Sequence, residues 1–344
     1  MINESLFLLE IALLSYNVFI HERGVPMKNA IAEKGQKKLM TPRQRYWMNI
    51  WKHREFYMFC LPGIICALIF QYYPMYGVLM AFKNVGVGQT VQTGQWIGLD
   101  NFRYLFDQKD FPVFLVNTLD LNFTLLFFSF PAPLILALMM HNSPSRRLKA
   151  ITQTCTYLPH LLSMVVVVSL LNTLLSNSYG LVNVLRESLG KEKIKFFEEQ
   201  VWFKPLYLGS SIWAGCGYSA IVYLASLSSI DGSVTEAATI DGANKLQRMW
   251  HIDMKLILPT IVTMLLLNLG KIMGAASMEK ILLLQNRANL EWTETLGTYV
   301  YKVGMIETKY GLSTAVSLFN TACNLTLLFV SNWVAKKVAK TSLF

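Results

Sequence analysis

The sequence predicts an all-α polytopic membrane protein, and three observations carry that reading. Of its 344 residues, 53% are hydrophobic and only 15% are charged, where a soluble chain of this length needs more charge to cover its surface. Several apolar runs reach the roughly 20 residues that a helix needs to cross a hydrocarbon core about 30 Å thick. These runs are continuous rather than alternating at every second residue, which disfavours a barrel and favours helices, whose backbone groups satisfy one another where no water can. The net charge of +10 is what basic cytoplasmic loops give a membrane protein by default, so no nucleic-acid partner is expected. Cys60, Cys66, Cys155, Cys216 and Cys323 sit in or beside apolar runs without metal-ligand spacing and read as free thiols, with no metal site.

Residues 1–55 read as an N-terminal cytoplasmic segment. Its apolar run 6–20 is short for a span and is broken by Glu10, with no basic residue before it and no small-residue cleavage site after it. It reads as an interfacial helix or as an extension upstream of an internal start at Met27. Residues 23–54 carry nine Lys/Arg, which places this end in the cytoplasm.

The first span is 56–82, with Pro62 and Pro74 tolerated as membrane helices tolerate them. An external loop, 83–112, holds TGQWIGLDNFRYLF, whose aromatic residues suit the interface. The second span, 113–140, runs inward and contains Asp120, Asn122, Pro131 and Pro133. A basic turn with Arg146, Arg147 and Lys149 marks the cytoplasm, and the third span follows at 151–175 with YLPHLLS in its inner half. Segment 176–204 is external with a helical look. The fourth span, 205–227, is rich in small and aromatic residues, and its Gly215 and Gly217 let helices approach closely. The fifth span is 256–284, segment 285–310 is external, and the sixth span, 311–334, exits into the tail 336–344. Segments placed inside hold markedly more Lys and Arg than those placed outside, while Lys83, Lys271, Lys280 and Lys309 lie at or within spans. The sequence is therefore read as six spans with both termini in the cytoplasm.

Between spans four and five lies the polar stretch IDGSVTEAATIDGANKLQRMWHIDMKLILPT. Ser233 and Glu236 make an S-x-x-E capping box, which starts a helix near Val234. Ala237, Ala238, Ile240, Ala243 and Leu246 then form a small apolar stripe, with a bend at Gly242, where the backbone turns without a Cβ penalty. A second helix leads through Trp250 into span five. The plain alternative is an amphipathic linker lying at the membrane interface.

Here the motifs become specific. EAATIDGA resembles the EAA loop of the permease subunits of type I ABC importers, and WIGLDNF, YLPHLLS and the terminal SLF extend the likeness to those that import oligosaccharides and other complex carbohydrates. The resemblance covers 62–344. It implies the MetI-like permease fold, a coupling helix at 230–255 within a permease domain at 56–335, and a bacterial cytoplasmic membrane. It also implies a second permease subunit, of a different chain, an ATPase dimer that binds ATP and Mg, and an extracytoplasmic solute-binding protein. By resemblance, Glu236, Ala237 and Ala238 sit in a groove of the ATPase, with Ser233, Asp241, Gly242 and Ala243 shaping the turn. One departure stands out: where the family pattern has I-x-L-P, this chain has Ile252-Asp253-Met254-Lys255 and a proline only at Pro259.

The chain has no G-x-x-x-x-G-K-[ST] sequence to cradle phosphates and no catalytic constellation, so it is read as a transport subunit and not an enzyme. Asp120 lies about 10 Å below the outer end of span two, and Lys271 about 8 Å below the outer edge of span five. Charges at that depth face a cavity or a partner, so the two are expected to pair or to line the translocation path, with Asn268 on the face of Lys271. A structural ion pair or a snorkelling lysine is the plainer alternative. His160, Trp213, Tyr218 and Tyr223 are further pathway candidates, set against ordinary helix packing. An ATP-independent secondary transporter or channel subunit is the alternative function, although no internal repeat is visible. A membrane-embedded enzyme would need a nucleophile or metal cluster at one depth, and none stands out.

Overall fold

The computed structural model describes Met48 and residues 51–338; the expectations for run 6–20, for Met27 and for the end of the tail lie outside the described residues. The chain divides into two compact units, one ending at Leu79 and one beginning at Met80. In the first, α1 (Arg54–Ala67) continues through a π turn (Leu68–Tyr72) into a 3-10 stretch (Tyr73–Phe82). Pro62 and Pro74 each remove a backbone donor, and wider and tighter turns replace α geometry around Pro74. No residue of α1 is buried.

In the second unit, β1 (Lys83–Asn84) pairs antiparallel with β2 (Gln95–Trp96), and α2 (Asp100–Asp107) follows. WIGLDNF is the tie between them. Gly98 turns with φ +63°, and the Asn101 amide donates to the carbonyls of Ala81 (2.9 Å) and Lys83 (3.1 Å). Next come α3 (Phe111–Ser129) and α4 (Pro131–His141), which together form one helix long and apolar enough to cross a membrane.

The third span departs from expectation. It is not continuous: α5 (Arg146–Tyr157) ends in a 3-10 turn (Leu158–Leu161), and α6 (Met164–Leu175) leaves at 100°. The cause lies in YLPHLLS, where Pro159 interrupts the ladder, Leu162 is extended, and the Ser163 hydroxyl caps α6 by accepting from the Val166 N–H at 3.4 Å. A short helix α7 (Leu181–Ser188) then precedes α8 (Gln200–Ser228). The fourth span thus starts before Pro205, not at it, because a proline in the second turn of a helix removes one bond without ending it.

After α8 the chain runs through α9 (Gly232–Ile240), α10 (Lys245–Arg248), a π turn (Met249–Asp253) and α11 (Met254–Leu256) into α12 (Leu258–Leu269). The segment Lys245–Leu256 meets α12 at 65°. Span five also breaks. A 3-10 turn (Ile272–Gly274) and an irregular stretch separate α12 from α13 (Met278–Leu284). Two small helices, α14 (Leu290–Thr293) and α15 (Leu296–Tyr301), a π turn (Lys302–Ile306) and the long α16 (Tyr310–Val338) complete the described chain. Among the described residues, four helices alone, and up to six spans if each bent pair counts as one, meet the length and composition of a membrane crossing.

Three apolar clusters hold the second unit together. One joins α4 to α8 through Leu134, Ala137, Leu138, Ala220, Tyr223, Leu224 and Leu227, and takes in Ile257 and Ile261 beside the polar stretch. A second unites Leu105, Phe111, Ile272, Met273, Leu296, Val303, Leu312 and Val316. The third gathers Leu121, Val168, Phe203, Tyr207, Ile281 and Leu284. Large apolar side chains elsewhere stay exposed, as lipid contact allows.

Candidate functional site

The polar stretch between α8 and α12 is built from three local devices. α9 is capped by Asp231, whose carboxylate accepts from the Ser233 N–H at 3.0 Å. This corrects the expected Ser233–Glu236 box. Asp231 stands two residues earlier, and its ionised carboxylate meets an orphan N–H of the first turn, so the helix begins at Gly232 and Ser233 lies inside it. A capping box does exist, but at the start of α10: Asn244 and Gln247 exchange side-chain bonds of 2.8 and 2.9 Å with each other's backbone N–H.

Between the two helices, Gly242 adopts φ +77°. Its N–H reaches the Thr239 carbonyl (3.1 Å) and the Ala243 N–H reaches the Ala238 carbonyl (3.0 Å), the paired bonds of a Schellman turn. The bend expected at Gly242 is therefore present, with Asp241 as the last residue before it.

The expected apolar stripe is not one buried face. Ala238 is buried, whereas Ile240 and Leu246 are 86% and 75% exposed, and Trp250 is 66% exposed. Glu236 and Ala237 are exposed as well. Helical spacing alone misleads here because α9 buries only Ala238 and leaves Ala237 and Ile240 exposed, and the turn at Gly242 redirects Leu246 and Trp250 after it. The result is a capped helix-turn-helix that leaves large apolar side chains exposed. Beneath it, Asp253 is 1% exposed and accepts from the Asn142 amide at 2.9 Å, while the Asn142 carbonyl oxygen accepts from Arg248 at 3.0 Å.

The membrane-embedded candidates separate. Asp120 pairs with Lys204 of α8, not with Lys271. Equal depth in sequence does not say which helices are neighbours, and the early start of α8 brings Lys204 to the acid. Lys271 is exposed at the break after α12, and Asn268 turns back to the Met264 carbonyl of its own helix at 2.7 Å. His160 and Tyr218 come together as stacked rings, with centroids 4.1 Å apart and planes 10° apart, at the bend of span three. Trp213 is exposed, while Tyr223 is 2% exposed inside the cluster joining α4 and α8 and offers no face to a ligand.

Sequence reasoning missed a second polar set. Lys280 is 1% exposed, donates to the Tyr207 carbonyl (2.9 Å) and the Ser211 hydroxyl (2.7 Å), and lies over the Tyr207 ring. Asn183 binds both the carbonyl and N–H of Ile194 at 2.9 Å, Asn289 holds the Phe197 carbonyl, and buried Glu294 pairs with Lys302. The only hint in the sequence is that these polar residues interrupt otherwise apolar or turn-like segments.

Residues 129–340 match the family described as the binding-protein-dependent transport system inner membrane component. The chain belongs to this family. The permease is 36% identical over 323 residues to the polygalacturonan/rhamnogalacturonan transport system permease protein YteP of Bacillus subtilis (strain 168), covering 94% of this chain and 99% of that one. It is 38% identical over 299 residues to Protein LplB of Bacillus subtilis (strain 168), covering 87% and 94%. A chain in the crystal structure of a bacterial alginate ABC transporter, in complex with an alginate pentasaccharide-bound periplasmic protein, superposes with a TM-score of 0.78. That chain is 36% identical, and the match covers 87% of this permease and all of its neighbour. The fold is thus the MetI-like permease fold, and the protein is a membrane-embedded permease subunit of an ABC importer.

Proposed function

We propose that this permease moves an oligosaccharide, drawn from an acidic polysaccharide, across the cytoplasmic membrane of a bacterium by alternating access. Its partners are a second permease chain, a solute-binding protein outside and an ATPase dimer inside, which binds the ATP and Mg. Both termini face the cytoplasm, and the loop 230–255 docks on the ATPase. One observation carries the docking: Ile240, Leu246 and Trp250 are exposed on a polar loop between spans, whose backbone is fixed by two caps and a Schellman turn. Exposed apolar groups on a rigid frame suit a partner's groove. Closure of the ATPase changes its contacts with the loop, and that differential contact supplies the free energy for switching. The relatives named for polygalacturonan/rhamnogalacturonan and alginate support the substrate class.

The test is uptake by the reconstituted transporter with its loaded binding protein. Wild-type uptake is expected to need ATP, and Gly242→Pro to lose it by about tenfold or more, since proline holds φ near −65° where this turn needs a positive value. Uptake without ATP, or normal uptake by the variant, overturns the reading. On the substrate side, Lys271→Met is expected to raise the KM for an acidic oligosaccharide; unchanged affinity and rate remove Lys271 from the path.

A further inference from the structure

We propose that Asp253, Asn142 and Arg248 form a polar latch that carries movement of the loop 230–255 into spans two and four; the inference rests on the docking reading above. Asp253 ends the π turn Met249–Asp253, and its carbonyl accepts from the Ile257 N–H at 3.1 Å, so it lies one turn before the 65° hinge at Ile257. Its carboxylate is sealed from solvent and accepts from the Asn142 amide, which follows directly on the last residue of α4. The other end of that amide accepts from Arg248, back on the loop. Placed between a cation and an anion, the amide has a single favourable orientation, oxygen to Arg248 and nitrogen to Asp253. The Asn142 nitrogen also donates to the Leu138 carbonyl at 3.1 Å, which fixes it to α4.

The latch therefore grips α4 from two points on the loop, one just before the π turn and one at its last residue. Apolar contacts surround it: Met249 and Met254 pack on the cluster shared by α4 and α8. Such contacts slide by a ridge with little directional penalty, whereas hydrogen bonds to a buried carboxylate fix register and direction. α4 and α8 share Leu134, Ala137, Leu138, Ala220, Leu224 and Leu227, and the hydroxyls of Ser226 and Thr260 bridge α8 to α12 at 2.9 Å. A pull on Asn142 thus moves α4 with α8, across a hinge whose far side is α12. Asp253, Asn142 and Arg248 are positioning residues: none is placed on the transport path.

The test uses the complete reconstituted transporter and reads substrate moved per ATP hydrolysed, with assembly checked by co-purification of the partner chains. Asp253→Ala and Asn142→Leu are expected to lower that ratio about tenfold while ATP hydrolysis continues. The exchanged pair, Asn142→Asp with Asp253→Asn, keeps one carboxylate, one amide and an acceptor for Arg248, and is expected to return the ratio to within about twofold of wild type. A role in packing alone does not distinguish the exchanged pair from the single variants. Full coupling in Asp253→Ala overturns the latch, as does an exchanged pair no better than the single variants. If Asp253→Ala does not assemble, the exchanged pair decides: restored assembly and coupling support the latch, and loss of either overturns it. Wild-type uptake that ignores ATP overturns the docking reading itself, whereas ATP-driven wild type with unaffected latch variants overturns the latch alone.

Discussion

Asp231 shows how one residue changes a local reading. Two positions before the serine of the S-x-x-E pattern, its carboxylate takes the Ser233 N–H, and the bonds from Ser233 hold its pKa below the ordinary value of 3.8. The sign follows from linkage: a depressed carboxylate contributes its cap fully above the ordinary value and loses it as pH falls through the lower, folded-state value. Hydrogen exchange at the Ser233 amide is therefore expected to be protected at neutral pH and to lose protection as pH falls below 3.8, with Asp231→Ala unprotected throughout and Asp231→Asn protected without the acid transition. Gly217 makes the opposite kind of point, because it acts through absence. A Cβ there collides with the Thr156 backbone carbonyl where α5 crosses α8, while one at Gly215 meets nothing. Gly217→Ala is expected to cost about 1–3 kcal/mol, read as a fall in the Tm of the detergent-purified permease, and Gly215→Ala close to nothing.

Among the elements, the fifth span shows most clearly where sequence reasoning stops. Hydropathy reads 256–284 as one run, yet the helix ends at Leu269 and resumes at Met278. What makes the gap tolerable lies on other spans: Asn324 of α16 accepts from the Met273 N–H at 2.9 Å, and Asn122 of α3 accepts from the Ala276 N–H at 2.6 Å. Backbone groups freed by a broken helix need such partners away from water. Asn122→Ala leaves the Ala276 N–H unsatisfied and is expected to destabilise the permease by about 1–3 kcal/mol, measured by thermal unfolding in detergent. If the Tm does not move, the break is held by other means. The same limit explains Asp120, whose depth was readable but whose partner Lys204 was not. By contrast, Gly242 was legible because only glycine suits its conformation, and α16 because its apolar run has no competing partner. The bend of span three was not legible: hydropathy reads 151–175 as one span although YLPHLLS holds a proline, and a 100° change of direction depends on where α6 packs.

At the scale of the whole molecule, the decisive property is which ends face the ATPase. In the proposed orientation, which the distribution of Lys and Arg supports, Arg146, Arg147 and Lys149 lie inside together with Lys245, Arg248 and Lys255 of the loop, and the ties built on Asn183, Asn289 and Glu294 lie at the opposite ends of the spans. In the proposed function the docking surface at Ile240 and Leu246 meets a soluble ATPase and the latch at Asn142 passes its movement on, so both work only in that orientation. It can be read directly once the five native cysteines are replaced. A single cysteine introduced as Ser178→Cys, between α6 and α7, is expected to react with a membrane-impermeant thiol reagent on intact cells. Pro144→Cys, in the basic turn between α4 and α5, is expected to react only after permeabilisation. Both positions are exposed in the isolated chain, so a difference between them reports the membrane and not burial in the fold. The reverse pattern inverts the permease, puts the loop 230–255 outside with no ATPase to meet, and removes the coupling role of Gly242 together with the latch beneath it.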